Sequence, residues 1–302
     1  MSYTTTAELV ERARARGKLI PGYNIPYLPM VEPVVRAIRD CNSVGLVMAA
    51  RLEWEKFEAG SLEALRDEYE KHKLAGHTRL HLDHVPVIDE DDLRVDYLDI
   101  IKRAIDAGYE SVMVDGSRLP LAENIACTRA VVELAHAAGI PVEAELGAVM
   151  GHESGPLPPY EDLFASGKGF TDPAEAKRFM DESGADWLSV AIGNIHGAIS
   201  AAAKGKKKVA ARLNIEHLDR IHKTTEAPLV LHGGTGIRKE YIMESMQHGI
   251  AKVNVATAIR QPYEAALPQG VDAAREAVYQ AMLTVINEDL ELNDSATILM
   301  KS

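Results

Sequence analysis

The chain has 302 residues, 46% of them hydrophobic and 26% charged, a balance that supports a sizeable buried core and excludes a disordered or fibrous protein. Its formal net charge of −12 excludes a general nucleic-acid surface, because binding phosphate backbones needs a basic field. No run approaches the roughly 18 apolar residues of a membrane span.

Taken in order, helical and apolar segments alternate. Thr6 is placed as the cap of a first helix carrying Leu9, Val10 and Ala13, stopped by Gly17. Leu19 to Asn24 reads as a first strand with a polar end, and a helix over Met30 to Arg39 leads to a second strand, Val44 to Met48. Ser61 opens the next helix. The third strand runs from Thr78 into His81-Leu82-Asp83-His84, where side-chain alternation puts His81 and Asp83 on one face and His84 at the start of the turn. A helix through Tyr97, Ile100, Ile101 and Ile105 stops at Gly108. The fourth strand, Ser111 to Asp115, also ends in a carboxylate. A helix over Leu121 to Ala138 precedes a fifth strand, Ile140 to Glu145, with Glu143 and Glu145 on one face.

Met150 to Thr171 breaks the rhythm as a Gly/Pro/Ser-rich loop, read as either a lid or a passive excursion, with Glu153 and Tyr160 as its proton-donor candidates. Asp172-Pro173 starts a helix, and a sixth strand, Trp187 to Ile192, runs into Gly193-Asn194-Ile195-His196-Gly197. Ala198 to Ala211 holds Lys204, Lys206, Lys207 and Lys208, read as a solvated run. The seventh strand, Pro228 to Leu231, ends at His232-Gly233-Gly234-Thr235-Gly236, and the eighth is Ala251 to Val255. The remaining chain reads as helices with a polar, frayed tail. Eight strands alternating with helices, without a linker, predict one (β/α)8 TIM barrel over residues 1–302 with extra C-terminal helices; a doubly wound sheet is the alternative. Polar residues at the strand ends favour the barrel, since Asn24, Asp83, His84, Asp115, Glu145, His196, His232 and Asn254 then ring one mouth.

His84, His196 and His232 follow the third, sixth and seventh strands. Singly each is an ordinary histidine; jointly, at equivalent strand ends, they offer three imidazoles to a divalent ion and leave a coordination position open. His81 is read as a support, and the remaining histidines as solvated. The glycine-rich stretches at Gly193 to Gly197 and Gly233 to Gly236, with Asn254 to Thr257, read as a phosphate cradle, because glycines let backbone N–H groups approach an anion. Cys41 and Cys127 have neither pairing nor metal spacing and are read as buried thiols of a reducing compartment. The start, Met1 to Thr6, has no apolar leader core, so the expected location is the cytoplasm.

In family order from about Leu80 to Arg260, the stretches His81-Leu82-Asp83-His84, Val114-Asp115-Gly116-Ser117, Val142 to Gly147, Phe170 to Pro173, His196-Gly197, Leu229 to Gly234 and Lys252 to Thr257 resemble the class II, metal-dependent ketose-bisphosphate aldolases, such as fructose- and tagatose-bisphosphate aldolases. The resemblance implies Zn2+ on His84, His196 and His232, with Asp83 as the proton-transfer residue. It implies a second cation position near Asp115 and Glu145. It also implies a dihydroxyacetone phosphate site at Gly197, Gly233, Gly234, Thr235, Asn254 and Thr257, with Asn24 and Arg260 as further substrate contacts. The activity so implied is reversible cleavage of a ketose 1-phosphate or ketose bisphosphate to dihydroxyacetone phosphate and an aldehyde through a metal-stabilised enediolate, by a homo-oligomer (dimer or tetramer). A metal-dependent sugar-phosphate epimerase or isomerase, and a non-catalytic sugar-phosphate-binding barrel, are the competing readings.

The departures from the pattern cluster around the second half of the substrate. The family's lysine after His-Gly falls at Ser200, leaving Lys204 or Lys206 to substitute. Ala256 stands where bisphosphate aldolases often carry Asp and resembles the tagatose-bisphosphate branch. No Asp-Pro-Arg run occurs near Gly270 to Asp272. Ala50-Arg51-Leu52-Glu53-Trp54 replaces a small polar run after the second strand, and Arg51 and Arg118 are read as surface or salt-bridged.

Overall fold

A computed structural model describes residues 4–149, 159–194 and 211–301. Eight strands, β1 (Ile20–Asn24), β2 (Gly45–Ala50), β3 (Thr78–Pro86), β4 (Ser111–Asp115), β5 (Val142–Leu146), β6 (Trp187–Val190), β7 (Leu229–Leu231) and β8 (Ile250–Val255), pair in sequence order. Every pair is parallel, and β8 closes on β1 with Ile20 opposite Lys252 and Gly22 opposite Asn254. The chain is therefore a (β/α)8 barrel, as the alternation predicted, and not an open sheet.

Local chemistry explains the helices between the strands. In α1 (Thr6–Ala15) the cap is Thr5, one residue before the expected Thr6: its hydroxyl accepts from the Glu8 amide and the Glu8 carboxylate accepts from the Thr5 amide, a reciprocal capping box. α2 (Val31–Asp40) buries Val31, Val34, Val35 and Ile38, an i, i+3, i+4, i+7 stripe that lies on the barrel wall. A short helix not anticipated from the sequence, α3 (Arg51–Glu55), follows β2 directly. Ser61 caps α4 (Leu62–His72) and Asp96 caps α5 (Tyr97–Ala107), which ends on left-handed Gly108. α6 (Leu121–Ala137) joins β4 to β5. The expected loop before Thr171 contains α7 (Tyr160–Ser166), with Pro159 before it and Gly167 after it; Asp172 then caps α8 (Pro173–Ser183). α9 (Ile215–Thr225) and α10 (Lys239–Ser245) flank β7, and α11 (Thr257–Ala266), α12 (Val271–Thr284) and α13 (Ser295–Leu299) follow β8.

The tail is not frayed as expected. Ala296 and Leu299 of α13 join Leu9, Val10 and Ala13 of α1 in one buried cluster with Ile20, Leu46, Trp187, Val230 and Ala251. Each of the Leu, Ile and Val side chains in this cluster contributes about 1.5–3 kcal/mol by leaving water. The two terminal helices thereby cover the N-terminal end of the barrel, and the opposite end is left for chemistry. No helix among the described residues is long and apolar enough to cross a membrane. Cys41 is buried, whereas Cys127 is half-buried and not sealed as expected.

Candidate active site

Alternation along β3 sends Arg79, His81 and Asp83 into the barrel, where all are at most 1% exposed. The strand does not end at His84. The β3/β4 register shifts between Leu82 and Val85, and His84 sits there at φ +20°, so two consecutive side chains, Asp83 and His84, reach the same mouth. His232, fully buried just past β7, meets them: ligand atoms of Asp83, His84 and His232 lie within 4.8 Å of one another, and the two imidazole rings are 4.4 Å apart edge to face. Asp115 and Glu145, from the ends of β4 and β5, complete a second overlapping group with His84. His84 Nδ1 is 3.3 Å from Asp115 Oδ2, and His232 Nδ1 is 3.3 Å from Glu145 Oε2. His196, Gly197, Glu153 and Lys204 to Lys208 lie outside the described residues.

Asp83 is gripped at both oxygens. Oδ2 accepts from Asn24 Nδ2 at 2.9 Å and Oδ1 from Asn254 Nδ2 at 3.0 Å. Burial alone would push its pKa up, but the positive charge of His84, Lys252 and His232 outweighs that and holds the carboxyl well below the usual range, ionised. The same balance works in reverse on His84: burial opposes its cation, yet Asp83, Asp115 and Glu145 raise it to about 10. For His232, burial and the neighbouring His84 lower the pKa, and the hydrogen bonds to Glu143 and Glu145 bring it above the ordinary value. Glu145 is itself raised by burial and by Asp115.

Behind the histidines is a polar layer that sequence inspection did not assign to the site. Glu143, fully buried, takes His232 Nε2 at 2.8 Å on one oxygen and Lys252 Nζ at 2.8 Å on the other. The lysine lowers its pKa to about 2 against the opposing effect of burial. Lys252 also donates to Asn254 Oδ1 at 2.6 Å, so one buried ammonium supports the partner of His232 and the partner of Asp83 together. Asn254, expected in the phosphate cradle, thus spends its side chain on Asp83 and Lys252. His81 supports this layer as read from the sequence: Nδ1 lies 2.8 Å from Ser111 Oγ and Nε2 3.6 Å from Glu143, and burial keeps the ring neutral with a pKa near 4. The clue to Glu143 was its alternation with Glu145; that to Lys252 was its alternation with Asn254.

These residues fit a divalent cation. Two imidazoles face three carboxylates in a buried space, and the nitrogen of His232 turned away from them is held by a carboxylate, the arrangement that orients metal-binding histidines. A set of nitrogen and carboxylate oxygen donors suits zinc and other first-row divalent ions.

On the β7–β8 side, Gly234 passes so close to its neighbours that a Cβ would lie 2.5 Å from Val253 Cγ2 and 2.8 Å from the Asn254 carbonyl oxygen. Its own N–H donates to that carbonyl. Thr235 Oγ1 accepts from Ala258 N in the first turn of α11, which brings the glycine loop against a helix N-terminus beginning at Thr257, a surface suited to an anion. Asn194 ties the exits of β6 and β7 by donating to the His232 carbonyl. Arg260 is turned to Glu264, both of whose oxygens lie 2.8 Å from Nη1, and Tyr27 donates to the same carboxylate. Tyr160 is engaged with the backbone of Gly193 and Arg212. Arg51 and Arg118 are salt-bridged, to Asp89 and Asp92. Several histidines read as solvated are not: His77, His217 and His222 are half-buried, and His217 Nε2 lies 2.7 Å from the Thr171 carbonyl oxygen.

The fold and mouth define a barrel enzyme with a buried carboxylate beside an imidazole pair. Residues 4–297 match the model of the family described as Fructose-bisphosphate aldolase class-II, and the chain belongs to that family. Its fold is shared with the YdjI aldolase from Escherichia coli K12, 25% identical, over 98% of this chain and 100% of that one at a TM-score of 0.75. A Coccidioides immitis protein provisionally described as a fructose-1,6-biphosphate aldolase is 26% identical over 97% of this chain and 98% of its own, with a TM-score of 0.76. The fructose-bisphosphate aldolase of Campylobacter jejuni, 18% identical, has the same fold over 97% of each chain with a TM-score of 0.72.

Proposed function

We propose that the chain, as one catalytic domain over residues 1–302, is a zinc-dependent aldolase. It reversibly cleaves a ketose 1-phosphate or ketose bisphosphate to dihydroxyacetone phosphate and an aldehyde. The observation that carries this reading is Asp83: a buried carboxylate kept ionised and clamped by two amides beside His84 and His232. Such a group is ionised and held in place to accept a proton, a device that a site for binding alone does not need.

On this reading His84, His196 and His232 hold the metal, with Asp115 and Glu145 near a second cation position. A divalent ion so held supplies Lewis-acid polarisation of the substrate ketone. Asp83 accepts the proton of the hydroxyl whose carbon becomes the aldehyde. The adjacent carbon–carbon bond breaks, and its electron pair stays with the triose-phosphate half; the reverse reaction returns the proton. Asn24 and Asn254 fix the direction in which Asp83 faces. Gly197, Gly233, Gly234, Thr235 and Thr257 hold the phosphate through backbone and hydroxyl donors, with Asn254 positioning Asp83 from the same side. Arg260, paired with Glu264, is left out of the set.

The test is release of dihydroxyacetone phosphate from a panel of ketose phosphates, with and without a chelator and after zinc is restored. Release that the chelator abolishes and zinc rescues is expected. No release from zinc-loaded protein would overturn the proposal.

A further inference from the structure

Glu53 lies in α3, directly after β2, where the chain departs from the family pattern. It is only 7% exposed. Its Oε2 accepts from Ala50 N at 2.7 Å and from Asn24 Nδ2 at 3.3 Å, and the same Asn24 amide donates to Asp83 at 2.9 Å. Glu53 is thus one side chain away from the proton-transfer residue. Its second oxygen, Oε1, has no hydrogen-bond partner among the described residues.

The described cations of this half of the mouth are all engaged. Among the described residues on the loops after β1 to β4 and in the first turn of α11, Arg51 pairs with Asp89, Lys56 with Asp91, Arg94 with Glu123, Arg118 with Asp92 and Arg260 with Glu264. A phosphate placed here would face the ionised Asp83 with every cation of these described loops already paired, a costly arrangement in a desolvated site.

We infer that Glu53 is a specificity-determining residue whose Oε1 hydrogen-bonds a hydroxyl on the aldehyde half, on the carbon next to the one whose hydroxyl yields its proton to Asp83, and that this half is an uncharged hydroxyaldehyde without a second phosphate. The inference rests on the aldolase reading and narrows it to ketose 1-phosphates. Burial, reinforced by the charge of Asp83, raises the Glu53 pKa to about 8, so at neutral pH the carboxyl can donate as well as accept. The contact with Ala50 N also caps α3, and the test must separate that structural role from contact with substrate.

The test compares kcat/KM of the zinc-loaded enzyme for the D-ketohexose 1-phosphates, their 1,6-bisphosphates and the 5-deoxy analogue of the best 1-phosphate. Wild type is expected to favour the 1-phosphate over its bisphosphate at least tenfold, and to lose about 10- to 100-fold on the deoxy analogue, the usual cost of one desolvated hydrogen bond. In Glu53→Ala the parent falls by about that factor and the deoxy analogue loses nothing further, an interaction that a merely structural defect does not produce. Glu53→Asp, which withdraws the carboxyl by one methylene, gives the same collapse of the parent-to-deoxy ratio and serves if the alanine variant does not fold. Exchange of the hydroxymethyl protons of dihydroxyacetone phosphate with solvent by the wild type checks the aldolase reading alone. If exchange occurs but the bisphosphate is preferred, or the variants keep the wild-type parent-to-deoxy ratio, the inference about Glu53 falls and the aldolase reading stands. If neither exchange nor cleavage occurs, both fall.

Discussion

Replacing Lys252 by Met tests whether the barrel interior is organised around one buried ammonium. Lys252 is fully buried, with Nζ 2.8 Å from Glu143 Oε2 and 2.6 Å from Asn254 Oδ1. Methionine fills nearly the same volume, so the change removes charge and hydrogen bonds and leaves little cavity. Glu143 is then a buried carboxylate whose nearest support is His232 at 2.8 Å, with His81 neutral. Breaking a buried pair from one side costs about 3–5 kcal/mol. With an unfolding entropy of ~2.1 cal/mol/K per residue, a chain of this length loses about 5–8 °C in Tm.

The pH dependence has a definite sign. In the wild type Glu143 is depressed to about 2, so its contribution is present above the unfolded value of ~4.3 and is lost as pH falls toward about 2. In the variant the same carboxyl rises above its unfolded value, and its penalty applies only where the unfolded chain is ionised. The Tm gap between the two proteins should therefore be full at pH 7 and shrink toward pH 4.5. The assay is thermal unfolding of both proteins with chelator present, so that metal binding does not contribute. A gap under about 2 °C that does not change with pH would refute the charge argument.

Asp83→Asn should lower dihydroxyacetone phosphate release by about 10²–10⁴-fold with bound metal unchanged, measured by a coupled assay beside metal analysis; retention of a tenth of the activity with metal bound would remove the proton-transfer role. Glu143→Gln should weaken zinc binding by about 10- to 100-fold in competition with a chromophoric chelator, because His232 loses the carboxylate that orients it. An unaltered affinity would show that this carboxylate does not serve the metal. Gly234→Ala forces a Cβ to 2.5 Å from Val253 and 2.8 Å from a backbone carbonyl, and should cost about 1–3 kcal/mol in denaturant unfolding while raising KM for the sugar phosphate. A variant matching wild type in both would place the phosphate elsewhere.

The barrel was legible because its signals are local: alternating apolar strands, helix starts such as Ser61 and Asp172, and terminating glycines such as Gly108. The mouth was legible because residues at equivalent strand ends must converge, which brought Asp83, His84, Asp115, Glu145 and His232 together. What escaped depends on partners distant in the chain. Lys252 meets Glu143 across the barrel, and neither carries a local mark of burial. The bulge that lets His84 follow Asp83 into the mouth is a register event between two strands, invisible in one of them. α13 reads as a polar tail until α1 covers it. α7 was bracketed by Pro159 and Gly167, a start and a stop hidden in a stretch whose composition suggested only loop.

The polar filling of the barrel is itself an argument about function. Buried ion pairs give little net stability, and apolar side chains of similar volume commonly serve the fold as well or better, by about 1–4 kcal/mol. Packing therefore does not account for a Lys252, Glu143 and His81 layer where branched aliphatic residues would suffice. The layer does supply what aliphatic residues cannot: a carboxylate on the far nitrogen of His232, and an ammonium on Asn254 that directs its amide to Asp83. The two amides gripping Asp83 leave it ionised but fixed, and Glu53 extends that grip to the edge of the mouth through Asn24. One ammonium thus couples the alignment of the His232 imidazole to the alignment of the Asp83 carboxylate. Loss of Lys252 should consequently impair metal affinity and proton transfer together, whereas loss of Glu143 should fall first on the metal.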